Sequence, residues 1–219
     1  AVEVTDFNGS LITVSSACHL AFSGLTFDRH LARGITCSGA TNVLVQGCTF
    51  RNLGGYAVDL AQRPACGRVS CDLALLAAGG ILVRGGREQA PRESNDHYVV
   101  NNDIRDFAQV VPVYAAGIDA GFGGMAGGGG GGGHAVGVGT RIAHNHVQGT
   151  PHGGILRDSF GKTIEYNRVE EYCMISGDLG GLYSYQRAEQ GGEEVVRYNL
   201  FSAPTNYLYP TYLNPGPTG

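Results

Sequence analysis

A six-residue template that recurs seven times constrains the fold of this 219-residue chain more than any other feature. It appears as Phe22-Ser-Gly-Leu25-Thr-Phe27, Val45-Gln-Gly-Cys48-Thr-Phe50, Arg68-Val-Ser-Cys71-Asp-Leu73 and Val99-Val-Asn-Asn102-Asp-Ile104, then as Ile142-Ala-His-Asn145-His-Val147, Ile164-Glu-Tyr-Asn167-Arg-Val169 and Val196-Arg-Tyr-Asn199-Leu-Phe201. Each copy reads apolar, two variable residues, a key residue (asparagine, cysteine or leucine), one variable residue, apolar. The first apolar position fails only at Arg68, and the last never fails. A second landmark follows, an apolar residue usually preceded by glycine or alanine: Ile35, Val58, Ile81, Ile118, Ile155 and Leu182. The step from key residue to landmark is 10 residues in four copies, and 16 and 15 in the two that carry insertions. The step onward to the next key residue ranges from 12 to 27. Segments that keep their spacing while loops absorb length are the mark of stacked repeats.

The apolar segments are short, alternate with period two and are punctuated by glycine, which predicts strands; almost no window carries a helical stripe, so leucine-rich and other helical repeats are set aside. About 23 residues per repeat, with three short strands each, predicts an all-β parallel β-helix of about seven rungs. Identical positions then stack at the strand spacing of about 4.8 Å. Asn102, Asn145, Asn167 and Asn199 are expected to form an inward ladder whose amides satisfy one another and the turn backbone. Leu25, Cys48 and Cys71 are expected to replace that ladder by apolar packing in the earlier rungs, with Cys48 and Cys71 as stacked core thiols.

Composition narrows the function. Charged residues are only 16% of the chain against 42% hydrophobic, which excludes a charged disordered chain. Net charge is −4, with Lys162 the single lysine and the arginines scattered, so phosphate-tracking nucleic-acid binding is not expected. No apolar run reaches the length of a membrane span, and no signal-peptide pattern opens the sequence. The six cysteines fit no paired metal or redox spacing, and their pairing is open. Glycine reaches 36 residues, seven of them consecutive from Gly127 to Gly133. Without a following Gly-Lys-Ser/Thr this is not a phosphate cradle, and residues 122–138 read as a flexible insert within one domain, 1–219, whose ends fall in mid-pattern as in a segment of a longer protein.

Four stretches carry a resemblance: Thr140-Arg-Ile-Ala-His144-Asn145-His146-Val147, Thr150-Pro151-His152-Gly153-Gly154-Ile155, Thr163-Ile-Glu165-Tyr-Asn167, and Ser176-Gly177-Asp178-Leu-Gly-Gly-Leu182-Tyr183. Together they resemble the right-handed parallel β-helix repeat proteins, and more narrowly the secreted branch near the family 141 glycoside hydrolases. The resemblance covers residues 18 to about 200. It implies an extracellular or cell-surface protein acting on a polysaccharide without a cofactor or metal. Matched motif by motif, it marks Asp178, His152 and Tyr183. The sequence departs from the family pattern with Gly180-Gly181 in place of Gly-Ala, and with Gln148-Gly149 where the family has His-Asp.

Residues just after each landmark, namely Thr36, Asp59, Leu82, Asp119, Leu156 and Tyr183, are expected to point outward. Asp119 with Asp178 is the preferred catalytic pair, since two carboxylates with separated pKa values divide the work of glycosidic bond cleavage. Asp158 is the reserve carboxylate, His152 an orienting or proton-transferring group, and Tyr183 and Arg157 substrate contacts. Asp59 and Glu165 read as solvated exterior charges, and Tyr166 and Tyr198 as stacking aromatics one rung apart. A polysaccharide lyase would want a basic residue beside clustered acids, a part left to Arg157. The alternative from another class is a non-catalytic extracellular β-helix that binds glycan or packs into a surface assembly with other chains, its aspartates serving turns.

Overall fold

The computed structural model describes residues 7–61, 67–85, 94–121, 138–157, 161–175, 177–184 and 194–202. Among them every regular element is a strand, 19 in all, and every strand pairing is parallel. They form two open sheets. The first has seven strands, in the order β1 (Ile12–Ser15), β4 (Ile35–Ser38), β6 (Val58–Ala61), β8 (Ile81–Val83), β11 (Ile118–Ala120), β14 (Ile155–Arg157) and β17 (Leu182–Ser184). The second has twelve, among them the long β5 (Thr41–Leu53) and β7 (Gly67–Ala74) and the short pairs β9 (Tyr98–Val100) and β10 (Asp103–Arg105), β12 (Arg141–Ala143) and β13 (His146–Gln148), β15 (Thr163–Glu165) and β16 (Arg168–Glu170), β18 (Val195–Arg197) and β19 (Leu200–Ser202).

The landmark residues stack as the repeat predicts. Ile12, Ile35, Val58, Ile81, Ile118, Ile155 and Leu182 are successive register partners, and Ile35 to Ile155 are fully buried. Two further stacks, Val45-Val69-Val99-Ile142-Ile164 and Phe27-Phe50-Leu73-Ile104-Val147-Val169, complete one continuous core. Phe27 and Phe50 lie face to face with centroids 4.6 Å apart. The glycine before most landmarks has a steric cause: a Cβ on Gly154 would come within 2.4 Å of Val169 Cγ1 and 2.7 Å of the Gly181 carbonyl, in the space one rung leaves for the next.

The exception at Arg68 also has a cause. In register, Gln46 meets Ser70 and Thr49 meets Asp72, so β5 spends two residues, Gly47 and Cys48, where β7 spends Cys71 alone. Val69, fully buried, takes the inward place, and Arg68 stands outside with its guanidinium 5.5 Å from the centre of the Tyr98 ring. The omitted residue is the one that elsewhere precedes the key position in left-handed conformation: Gly24, Gly47, Asn101, His144, Tyr166 and Tyr198, all with φ between 54° and 64°.

The asparagine ladder is complete in its hydrogen bonds. Asn145 Oδ1 accepts from the Asn102 backbone N–H at 3.0 Å and from Asn102 Nδ2 at 2.8 Å, while Asn145 Nδ2 donates to the Val99 carbonyl and to Asn167 Oδ1, both at 2.9 Å. Asn167 repeats this toward Asn199, and Asn102 Oδ1 caps the Cys71 N–H at 2.8 Å. Cys71 and Cys48 are buried free thiols that keep the donor half of the pattern, with Sγ to the carbonyls of Val45 (3.4 Å) and Phe22 (3.5 Å). They are therefore weak polar rungs as well as apolar packing. Leu25 departs from the expected inward role, being 43% exposed in the gap between β2 (Cys18–Ser23) and β3 (Thr26–His30).

Candidate functional site

The outer face of the seven-stranded sheet carries the expected row: Thr36, Asp59, Leu82, Asp119, Leu156 and Tyr183 are successive register partners. The row differs from expectation in its surroundings. Asp59, Asp119 and Leu156 are fully enclosed and Leu82 is 5% exposed, so this face is covered over most of its length. Buried charge demands a partner. Asp59 has one in Arg84, which approaches both carboxylate oxygens at 3.2 and 2.6 Å, and another in Arg33 at 3.1 Å; it is a buried ion-paired group, and the expectation of a solvated charge is corrected. Glu165 is corrected likewise: nearly buried, it is gripped by Arg141 (2.7 Å) and Arg197 (2.8 Å), whose hydrogen bonds hold its carboxyl below the usual glutamate range.

Tyr56, Ala78 and Leu82 pack together on the covered face. Burial, then the charge of Asp119, pushes the Tyr56 hydroxyl well above the ordinary tyrosine range, so it stays protonated. Asp119 is thus an enclosed carboxylate with a tyrosine in its field.

Three loops enter this sheet one above another, before β11, β14 and β17, and each contributes a side chain to one cluster. Tyr114 precedes Ile118 by four residues, His152 precedes Ile155 by three, and Asp178 precedes Leu182 by four. The Tyr114 backbone N–H donates to His152 Nδ1 at 3.0 Å, and the Tyr114 hydroxyl donates to Asp178 Oδ2 at 3.0 Å. The Tyr114 ring meets the His152 ring edge-on, centroids 5.0 Å apart. Tyr114 reaches this position through a left-handed backbone (φ 55°), uncommon for a bulky residue. His152 is 1% exposed, and its loop is pinned by Cys173 N–H donating to the His152 carbonyl at 2.7 Å and by His152 N–H donating to Thr150 Oγ1 at 3.3 Å. Burial lowers the His152 pKa, against the opposing charge of Asp178. The hydrogen bond to Asp178, then its charge, raises the Tyr114 hydroxyl, with Tyr183 adding a smaller push from β17.

His152, Asp178 and Tyr183 therefore share one neighbourhood. The described contacts of Asp178 run to Tyr114, whereas the field of Asp119 reaches Tyr56. Arg157 forms an ion pair with Glu194, both side chains largely buried. Asp158 lies outside the described residues, as do residues 122–137 of the glycine-rich insert, Cys66 and the tyrosines after residue 202. Tyr166 and Tyr198 stack as expected at 5.0 Å, and His144 extends the stack at 5.0 Å. His146 instead bridges Asp103 (3.0 Å) and Glu170 (3.1 Å) on the opposite sheet. No group of three or more histidine, cysteine or acidic residues suited to a metal occurs among the described residues.

Sequence reasoning passed over Tyr114 and Tyr56. For Tyr114 a signal was present: the six-residue excess between Asn102 and Ile118 is the stretch that carries it over His152 and Asp178. Comparisons with protein-family models, with curated proteins and with solved structures find no match to this chain.

Proposed function

We propose that the chain is a right-handed parallel β-helix of about seven rungs, of the family 141 glycoside hydrolase-like kind, that acts outside the cell on a polysaccharide. The stacked register and the asparagine ladder support the solenoid reading. One observation carries the functional reading: Tyr114, His152 and Asp178 converge from three successive loops onto one point of the seven-stranded sheet. Such convergence joins the Tyr114 hydroxyl to the Asp178 carboxylate by a hydrogen bond and sets the His152 imidazole against the Tyr114 backbone N–H and ring. In this reading the exposed Asp178 is the acid of glycosidic cleavage: the bond from the anomeric carbon to the departing oxygen breaks as that oxygen takes the Asp178 proton, water adds at the anomeric carbon and yields its own proton to the second carboxylate, and Tyr183 contacts the sugar. Asp119 is the second carboxylate of the pair.

A second reading, glycan binding without turnover, is favoured by the complete enclosure of Asp119, since a carboxylate sealed beside Tyr56 has no open path to a bulky glycan. The ion pair of Arg157 with Glu194 weighs against the lyase reading, which needs that arginine as base. The experiment is release of reducing ends from a panel of plant, algal and microbial wall polysaccharides by the chain and its Asp178→Asn and Asp119→Asn variants. Loss of turnover in both supports the paired mechanism. Turnover unchanged in Asp178→Asn sinks it, and binding without turnover by the parent chain establishes the second reading.

A further inference from the structure

Arginines that lie far apart in the sequence meet on the outer face of the twelve-stranded sheet. Arg68, Tyr98 and Arg141 are successive register partners on β7, β9 and β12, and Arg197 of β18 is the partner of Glu165 on β15. Their neighbours Val69, Val99, Ile142 and Ile164 are fully buried, so strand alternation turns these side chains outward. Two strand spacings set Arg68 about 10 Å from Arg141 along the stack. Arg68 lies 5.5 Å from the centre of the Tyr98 ring and has no carboxylate partner among the described residues. Arg141 engages Glu165 Oε1 through Nε and Nη2, and Arg197 engages Oε2 through Nε. Arg141 Nη1 and both terminal nitrogens of Arg197 remain for a further acceptor, on side chains 45% and 54% exposed. The carboxylates nearby are already engaged: Glu165 is sealed between its two arginines, and Asp96, at the margin, accepts the Ser94 hydroxyl. On the adjoining face Asp103 and Glu170 are held by Arg105, Arg168 and His146, with Asp72 beside them. A cationic face thus stands on a chain of net charge −4.

The same rungs carry a second feature. At the exposed corner where earlier rungs place Gly24, Gly47 and Asn101 in left-handed conformation, they place His144, Tyr166 and Tyr198, with φ of 54° to 56°. Bulky side chains carry a backbone cost there that glycine or asparagine avoids, so the fold alone does not call for them. Tyr166 is 47% and Tyr198 67% exposed. Their rings and that of His144 stack at 5.0 Å intervals, and the Arg197 guanidinium lies 5.5 Å from the Tyr198 ring centre. Stacking occupies the ring faces and turns rims and hydroxyls to solvent.

We propose that this face is a binding site for an acidic glycan, whose carboxylate or sulfate groups pair with Arg68, Arg141 and Arg197 while its hydroxyls meet the rims of Tyr166 and Tyr198. The planar guanidinium fork matches such oxyanions in a bidentate geometry. Single-stranded nucleic acid, the other flexible polyanion, binds by stacking bases on open aromatic faces, which this column does not offer. The site lies on the twelve-stranded sheet, whereas Tyr114, His152 and Asp178 stand on loops entering the seven-stranded one, so it holds a glycan independently of the catalytic reading.

The test is isothermal titration of the full chain at low salt with oligogalacturonate, its methyl ester, a sulfated carrageenan oligosaccharide and an oligodeoxythymidylate. At least one acidic glycan is expected to bind, to weaken as salt rises, and to exceed the uncharged methyl ester about tenfold or more, a gap of about 1.4 kcal/mol. Arg68→Gln combined with Arg197→Gln is expected to weaken that glycan about tenfold. Arg51→Gln combined with Arg105→Gln removes the same charge from exposed arginines paired with Asp28 and Asp103, and is expected to change affinity less than about twofold. Asp178→Asn is expected to bind as the parent chain does. The proposal is overturned if neither acidic glycan binds, if the methyl ester binds equally, or if the control pair weakens binding as much as the Arg68 and Arg197 pair. Loss of binding in Asp178→Asn, or equal binding of the oligodeoxythymidylate with the same dependence on Arg68 and Arg197, overturns it too. None of these readouts needs turnover, so the catalytic reading and this site stand or fall separately.

Discussion

Replacing Asn145 by alanine tests the central stack most directly. Its side chain is 2% exposed and makes four hydrogen bonds, two accepted from Asn102 and two donated, to Val99 and Asn167. Alanine leaves the Asn102 backbone N–H and one Asn102 Nδ2 hydrogen without acceptors, while the other hydrogen keeps Val69 O at 3.0 Å and Asn167 Oδ1 keeps the Asn145 N–H at 3.0 Å. Two orphaned buried donors at about 1–3 kcal/mol each set the cost at roughly 2–6 kcal/mol. The assay is equilibrium urea unfolding followed by far-ultraviolet circular dichroism, with the slope compared between variants because repeat architectures can lose two-state behaviour. Asn199→Ala is the control. It removes the acceptor of Asn167 but from the half-exposed last described rung, where water can replace it, so its cost should be clearly smaller. Equal effects at the two sites, or a loss below about 1 kcal/mol at Asn145, would refute the view that the ladder is a fully satisfied buried network.

Gly154→Ala should destabilise by about 1–3 kcal/mol, because its Cβ would press on Val169 and the Gly181 carbonyl, whereas Gly177→Ala, with open space around it, should stay within about 0.5 kcal/mol in the same unfolding assay. Glu165 titrates below its ordinary value when folded, so the stability it contributes is present at neutral pH and lost as pH falls through that lowered value; thermal melts of Glu165→Gln between neutral pH and about pH 3 should show a shallower acid decline than the parent. In a Cys66→Ser background, a thiol reagent at pH 8 should label exposed Cys18 rapidly and reach Cys37, Cys48, Cys71 and Cys173 only on unfolding, since burial encloses all four and pushes the thiols of Cys37 and Cys71 to about 11 and about 12.

Much of the architecture was legible in the spacing of apolar and key residues. A parallel stack places identical residue types in register, so Ile35 over Val58 over Ile81, and Asn102 over Asn145 over Asn167, were readable before any coordinates. The copy at Arg68 misled because a one-residue deletion leaves an apolar neighbour, Val69, to slide into place, which only pairing with Val45 reveals. Of the site, the sequence marked His152, Asp178 and Tyr183 but could not say what they touch.

Local periodicity alone determined that this chain forms short parallel strands around an inward asparagine column, because strand direction and side-chain alternation follow from residues a few positions apart. Tertiary structure decided which of the residues beyond each landmark see water. Whether Asp119 is open or sealed, and whether Tyr114 meets His152 and Asp178, depends on how inserted loops fold back over a neighbouring rung. Those contacts span 38 and 64 residues of sequence. Loop length is visible in a sequence, but the face on which a loop comes to rest is set by packing between rungs.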